Sequence, residues 1–420
     1  MWGGRVGKRG RGSKTLAMGD VVAEVVLACE PEQLTASMDF FEQRLGFRLE
    51  QIFPADAPRV AVVSGHGVRL RLSPPEPGLA AGVVRLVCRG DSAAELAQHH
   101  GAVAPNGSRI EVVDGSGFTL PRVAQELVVS RMDGEGAEWG VGRAGMRYRD
   151  LIPGRQGGRF VGSHIQIAEG GPVPDYDHSH NLRFQFVYCY KGWVRLVYEG
   201  QGAPFVMHAG DCVLQPPGIK HRVLESSEGL EVIEVACPAE HETTREHVLS
   251  LPVEDDGSVP EHPPREFGAV ALHEGKSPAA VLPQRFVWHQ AAGQPWVHEG
   301  WRAPGFETQD VGGIAQATQG LGQLTVVRPS GSNVEQPHRE WIAHDAEFQM
   351  LFVLHGRVQL HRQEADCAME LKEGDCVVVP AGMAHGLSGC SEDLQLLDVV
   401  LPREGTELSV QVTPCGKSRL

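Results

Sequence analysis

The sequence predicts a mainly β protein: two tandem jelly-roll β-barrels preceded by a smaller α+β domain. Three observations carry this. The chain holds 51 glycines and 28 prolines in 420 residues, which favours many short strands joined by tight turns over long helices. Phe184-Gln185 recurs as Phe348-Gln349, an offset of 164 residues (348 less 184), and the same offset runs without a gap across some sixty residues. Within each copy, short aromatic and β-branched runs end at glycine or proline turns, the pattern of a sandwich or barrel.

Taken in order, residues 1–18 form a basic arm. Arg5, Lys8, Arg9, Arg11 and Lys14 fall in its first fourteen residues with no acid among them, and Met18-Gly19 offers an alternative start. The arm lacks the apolar stretch of a secretory signal. Residues 19–130 read as the α+β domain. A strand over 21–29 is followed by a helix that opens at Pro31. Its apolar residues Leu34, Met38, Phe41 and Leu45 share one face, and Gly46 ends it. A half-exposed strand follows, in which Val68, Leu70 and Leu72 alternate with Arg69 and Arg71. A second, shorter β-α-β unit covers 83–88, a helix from Asp91, and 109–113.

The repeat then occupies 140–240 and 285–405. The offset takes His180 to His344, Gly192 to Gly356, Gly210-Asp211-Cys212 to Gly374-Asp375-Cys376, Pro216 to Pro380, Gly218 to Gly382 and His221 to His385. Residues 241–284, polar and proline-rich, read as a surface linker, and 406–420 as a tail. The segment 286–318, with Trp288, Trp296 and Trp301, reads as the lead into the second copy.

The net charge is −15, and setting aside the five basic residues of the arm leaves −20. Such a body repels phosphate backbones, so a nucleic-acid-binding core is not expected. The longest apolar run, 21–29, is broken by Glu24 and is far short of a membrane span. The nine cysteines are odd in number and show no C-x-x-C, which suits free thiols in a reducing, cytoplasmic setting.

The chemistry concentrates in the first copy. His178 and His180 are two apart, so on a strand they share a face, and a returning hairpin can bring His221 beside them. Three imidazoles converging on a barrel interior suit one divalent metal: Fe(II), Mn(II), Zn(II), Ni(II) or Cu(II). In the second copy Ile342 stands where His178 does, which leaves His344, His385 and Gln349 as a depleted second site, with His338 upstream. One metal per chain follows, and Ile342→His would complete a second set. Arg183 and Arg222 flank the ligand positions and are candidates to hold a substrate carboxylate. Tyr176 is a candidate pocket residue, whereas strand parity turns Tyr188 and Tyr190 away.

The paired motifs resemble those of the cupin superfamily, G-x5-H-x-H-x(3,4)-E-x6-G and G-x5-P-x-G-x2-H. Here Gly171, His178, His180, Gln185 and Gly192 answer to the first, and Gly210, Pro216, Gly218 and His221 to the second. The resemblance implies a bicupin. It places His178, His180, His221 and Gln185 as metal ligands, with glutamine where the family carries glutamate. A neutral amide there is a poorer ligand, suited to orienting water or dioxygen. The N-terminal domain is similar to the glyoxalase/bleomycin-resistance (vicinal oxygen chelate) group in Met38-Asp39-Phe40-Phe41 through Leu45-Gly46-Phe47, and in Asp114-Gly115-Ser116-Gly117-Phe118. It lacks that group's strand histidine and glutamate, so no metal is expected there.

The expected function is a mononuclear metal-dependent enzyme, first an Fe(II) dioxygenase acting on a small organic substrate, with Gln185 and Arg183 as catalytic contacts. A decarboxylase, isomerase or lyase using Mn, Zn or Ni is the alternative, as is a binding protein without turnover. A homodimer is compatible with this reading.

Overall fold

The computed structural model describes residues 22–88, 91–115, 117–134, 137–261, 265–273, 279–298, 301–331, 340–365 and 367–414. The basic arm, His338 and Cys415 lie outside the described residues. No described helix is long and apolar enough to cross a membrane.

The chain divides into two compact units, 1–116 and 117–420. In the first, the helix Leu34–Leu45 ends at Gly46, whose φ of 74° is the left-handed conformation glycine adopts without strain. Leu34, Phe41 and Leu45 are buried against Ala61, Val63, Leu70 and Leu72, as their spacing predicts. The sheet runs Val25–Ala28, Val68–Ser73, Val60–Gly65, Arg48–Phe53, with its first pair parallel. The unit is thus β-α-β-β-β, with a hairpin more than the β-α-β expected. Val83–Cys88 and Arg109–Asp114 pair in parallel across the helix Asp91–Ala97.

The second unit is mainly β and contains two barrels. Each sets a seven-stranded sheet against a smaller one. In the first, Phe184–Lys191, Leu230–Cys237 and Val161–Ile167 are central to the larger sheet. His178–Asn181 and His221–Ser226 are neighbours in the smaller. Strand parity decides what each residue meets. Phe184, Phe186, Tyr188 and Tyr190 join Phe348, Met350, Phe352 and Leu354 in one core shared by the barrels, while Cys189 and Val187 turn into the first barrel. Leu351 and Val353 likewise turn into the second. Gly192 and Gly356, at φ 79° and 73°, close the hairpins; a Cβ on either would lie 2.2 Å from the Oγ of Ser227 or Ser391.

Four sequence assignments are corrected here. Residues 117–130 leave the N-terminal unit: Gly117–Leu120 pairs with Val270–His273, and Val128–Ser130 with Cys376–Val378 of the second barrel. Val287–His289, read as leading into the second copy, pairs with Cys212–Leu214 of the first. Each barrel therefore borrows an edge strand from the segment preceding the other. The linker is not merely surface, because Glu242–Arg245 lies beside His178–Asn181. The tail does the same for the second barrel, with Val410–Pro414 beside Glu340–His344.

Arg183 is the fourth correction. Its side chain is buried and ion-paired with Glu347 at 2.8 Å, and Arg159 holds the other carboxylate oxygen. Positions 183 and 347 are equivalent in the repeat, so the pair sits where the copies face one another about a local two-fold. Arg183 joins the barrels and does not line the cavity beside the histidines.

Candidate metal centre

His178 and His221 lie directly opposite one another on neighbouring strands, and His180 follows two residues along the same face. The ring centroids are 4.2 Å apart for His178–His221, 5.0 Å for His178–His180 and 5.2 Å for His180–His221. One ring nitrogen from each lies within 4.8 Å of the others, and this is the group of metal-ligating type found among the described residues.

The remaining nitrogens explain why the rings stay so placed. His178 Nδ1 donates to the Tyr176 carbonyl at 2.7 Å, and His221 Nδ1 to the Ile219 carbonyl at 3.1 Å. His180 Nδ1 meets Thr243 Oγ1 at 3.0 Å, on the strand misread as linker. A proton held on Nδ1 leaves the Nε2 lone pair free, the arrangement found in metal-ligating histidines. His178 Nε2 is buried and has no partner. A buried unpaired nitrogen is costly unless something completes it, and a divalent cation held by the three rings would do so.

All three imidazoles are held neutral, as ligation requires. Burial lowers the pKa of His178, and the charge of Arg143 adds to it. His180 and His221 lie well below 6.5, first through burial and then through their histidine neighbours.

His180 and His221 open on a cavity of about 80 Å³, room for a few waters or a small organic group. Its wall is largely aliphatic, including Met146, Ile165, Val187, Leu196 and Val232, with Gln185, Gln215, Tyr198, Arg143 and Glu234 as polar members. Gln185 faces this cavity, but its amide is already engaged. Gln215 donates to its Oε1 at 3.1 Å, Tyr198 donates to Gln215 at 2.6 Å, and Gln185 in turn hydrogen-bonds Glu234. Tyr176 packs edge-on to His178 with the Arg143 and Arg245 guanidinium groups over its ring. Tyr188 and Tyr190 lie in the shared core, as parity predicts. Arg222 follows His221 on its strand, so its side chain leaves by the opposite face.

Sequence reasoning missed Glu234. The signal was present: of the two acids in 230–237, Glu231 and Glu234, the second is in phase with inward-facing Leu230 and Val232. Burial raises its pKa, opposed by His241, Gln185 and Arg143.

Two segments of the chain, 163–236 and 330–400, match the family model described as the cupin domain. One matched segment falls in each barrel. No curated protein matches the chain. Among solved structures, salicylate 1,2-dioxygenase from Pseudoaminobacter salicylatoxidans is similar at 14% identity, covering 70% of this chain and 86% of that one, with a TM-score of 0.47. Oxalate decarboxylase from Bacillus subtilis is similar at 13%, covering 71% and 82%, TM-score 0.44. Protein Ylba from E. coli is similar at 12%, covering 68% and 96%, TM-score 0.43. Likeness at this distance assigns no reaction.

The second barrel is built differently. Ile342 lies opposite His385 where His178 lies opposite His221. Both nitrogens of His344 are engaged, Nε2 with the Val379 carbonyl at 3.2 Å and Nδ1 with the Ala346 amide at 3.1 Å. Its ring is 6.4 Å from that of His385, and both amide atoms of the buried Gln349 lack partners. A guanidinium is already present: Arg302 pairs with Asp398, and its charge lowers the pKa of both histidines after burial has done so. Among the described residues, His344, Gln349 and His385 are thus not gathered as His178, His180 and His221 are. The expectation that Ile342→His alone completes a second centre is revised with it. That variant should still hold about one metal per chain by elemental analysis, because the resident cation and the engaged His344 persist. A rise towards two would show that neither matters.

Burial, with the Arg302 charge next, takes His344 from 6.5 to about 4. A histidine with a lowered folded pKa binds fewer protons than the unfolded chain between those values. Its contribution is full above pH 6.5 and is lost as pH falls to about 4. The unfolding free energy from urea titration should drop across that window, by up to about 3 kcal/mol from this residue. His344→Gln should flatten that part of the profile, and an identical profile in the variant would refute the assignment.

Proposed function

We propose that the chain is a mononuclear metal-dependent cupin enzyme acting on a small organic molecule, with an Fe(II) dioxygenase as the leading reading. The observation that carries it is the convergence of three neutral imidazoles whose outer nitrogens are tied to Tyr176, Thr243 and Ile219. Of the inner nitrogens, His178 Nε2 has no partner and His221 Nε2 meets only the Gln215 amide, at 3.4 Å. A bound divalent metal would supply Lewis acidity and, if redox-active, electrons for dioxygen. His178, His180 and His221 would hold it. The aliphatic wall limits water, and the Tyr198–Gln215–Gln185 chain fixes the polar floor against which a substrate is oriented.

Gln185→Glu tests how closely that position faces the metal. It adds an anionic oxygen and should raise divalent-metal affinity roughly ten- to a hundredfold, the size of effect that changes around a metal site produce. Unchanged affinity would mean that Gln185 serves the hydrogen-bond chain alone.

The reading itself is tested by elemental analysis of the purified protein, then oxygen uptake with enols and catechols. Iron with substrate-dependent uptake supports it. A redox-inert metal at full occupancy moves the assignment to a non-oxidative decarboxylase, isomerase or lyase, and absence of any metal to a binding protein. We read the N-terminal unit as a glyoxalase-type module that serves ligand binding or dimerisation, supported by its helix ending at Leu45-Gly46-Phe47.

A further inference from the structure

The two barrels place a carboxylate at the same point of their interiors and satisfy it differently. Glu234 and Asp398 are equivalent positions, 164 residues apart (398 less 234). Each follows two inward-facing aliphatic residues, Leu230 and Val232 in one barrel, Leu394 and Leu396 in the other. In the second barrel the chain supplies the cation. Arg302 ion-pairs with Asp398, and Trp301 donates its indole N–H to the same carboxylate oxygen at 2.8 Å.

In the first barrel no ion pair among the described residues reaches Glu234. The arginine that lines this cavity, Arg143, is paired with Asp175. Glu234 instead ends a one-way series of donors, Tyr198 to Gln215 to Gln185 to its own carboxylate. Donors that all point the same way strengthen one another and favour the ionised form of the last acceptor, which faces the cavity. Around it the wall is aliphatic, so solvent compensates that charge poorly.

We propose that Glu234 anchors a cationic nitrogen of the substrate, so that the first barrel takes small molecules with an apolar body and an ammonium- or amidinium-type head. That head would occupy the place the Arg302 guanidinium occupies in the second barrel. The proposal deepens the function given above and rests on its reading of the histidine-lined cavity as the substrate pocket. An anionic ligand would meet a like charge at the same point.

The test is calorimetric titration of metal-free and zinc-loaded protein with n-butylammonium and with butyrate, probes of similar size and opposite charge. Butylammonium should bind at least about tenfold more tightly than butyrate, and Glu234→Gln should weaken it about ten- to a hundredfold. No binding of butylammonium, equal affinity for the two probes, or an affinity untouched in Glu234→Gln would overturn the proposal. Should that variant fail to fold, the wild-type preference decides, and Glu234→Asp, which keeps the charge, should retain it. Zinc uptake is measured on the same samples. Charge selectivity missing while zinc still binds defeats this inference alone; selectivity without zinc uptake supports it and defeats the metal reading.

Discussion

Alanine in place of His178 or of His221 is expected to take the metal content of the purified protein from about one per chain to near none. The three rings would act as one chelate, and the directly opposed pair, 4.2 Å apart, is its most closely spaced edge. Loss of a partner around a metal site already costs about 10–100-fold in affinity, and loss of a direct ligand should exceed that. The variants should nevertheless fold. His178 Nε2 has no protein partner to lose, and an uncharged imidazole leaves no unpaired ion behind. The readouts are metal per chain by elemental analysis and the circular-dichroism melt of the metal-free proteins. Full metal content in either variant would refute the ligand assignment.

Glu347→Gln is expected to be the most destabilising single change, by about 3–5 kcal/mol, because it strips the counter-charge from two buried arginines at once. Arg159 and Arg183 both end on this carboxylate, and all three side chains are less than a tenth exposed. An amide can still accept one hydrogen bond, but it cannot offset two guanidinium charges in a dry interface. Urea denaturation gives the size of the loss, and metal content should not change, since the cluster lies outside the histidine-lined cavity. A loss under about 1 kcal/mol would show that the barrels are joined by the apolar core alone.

How the ligand positions became legible illustrates which rules are local. His178 and His180 share a face because side chains alternate along any strand, whatever it pairs with. Gly192 and Gly356 mark hairpins because their backbone conformation and the nearby serines admit no side chain. Neither inference needs a partner strand to be known. Arg183 shows the opposite case. It precedes its strand, where alternation does not yet apply, and its meaning depends on Glu347 in the other copy. Glu234 is intermediate: its inward direction could be read from the alternation of its strand, but not its role. That role depends on Gln185, Gln215 and Tyr198, which arrive from elsewhere in the barrel.

The sequence by itself determined the mainly β class, the duplication, the three histidines and the loss of one in the second copy. Each is a matter of spacing, alternation or residue identity, and these are properties of a chain before it folds. Only the tertiary structure decided which segments supply the edge strands Val128–Ser130 and Val287–His289, and that the linker holds His180 through Thr243. It also decided that Arg302 stands beside Asp398, while Glu234 meets no such cation among the described residues. Three-residue edge strands carry too little pattern to announce their partners. Ion pairs between distant segments leave no periodicity at all, so they are settled when the sheets close and buried charges must find their counterparts.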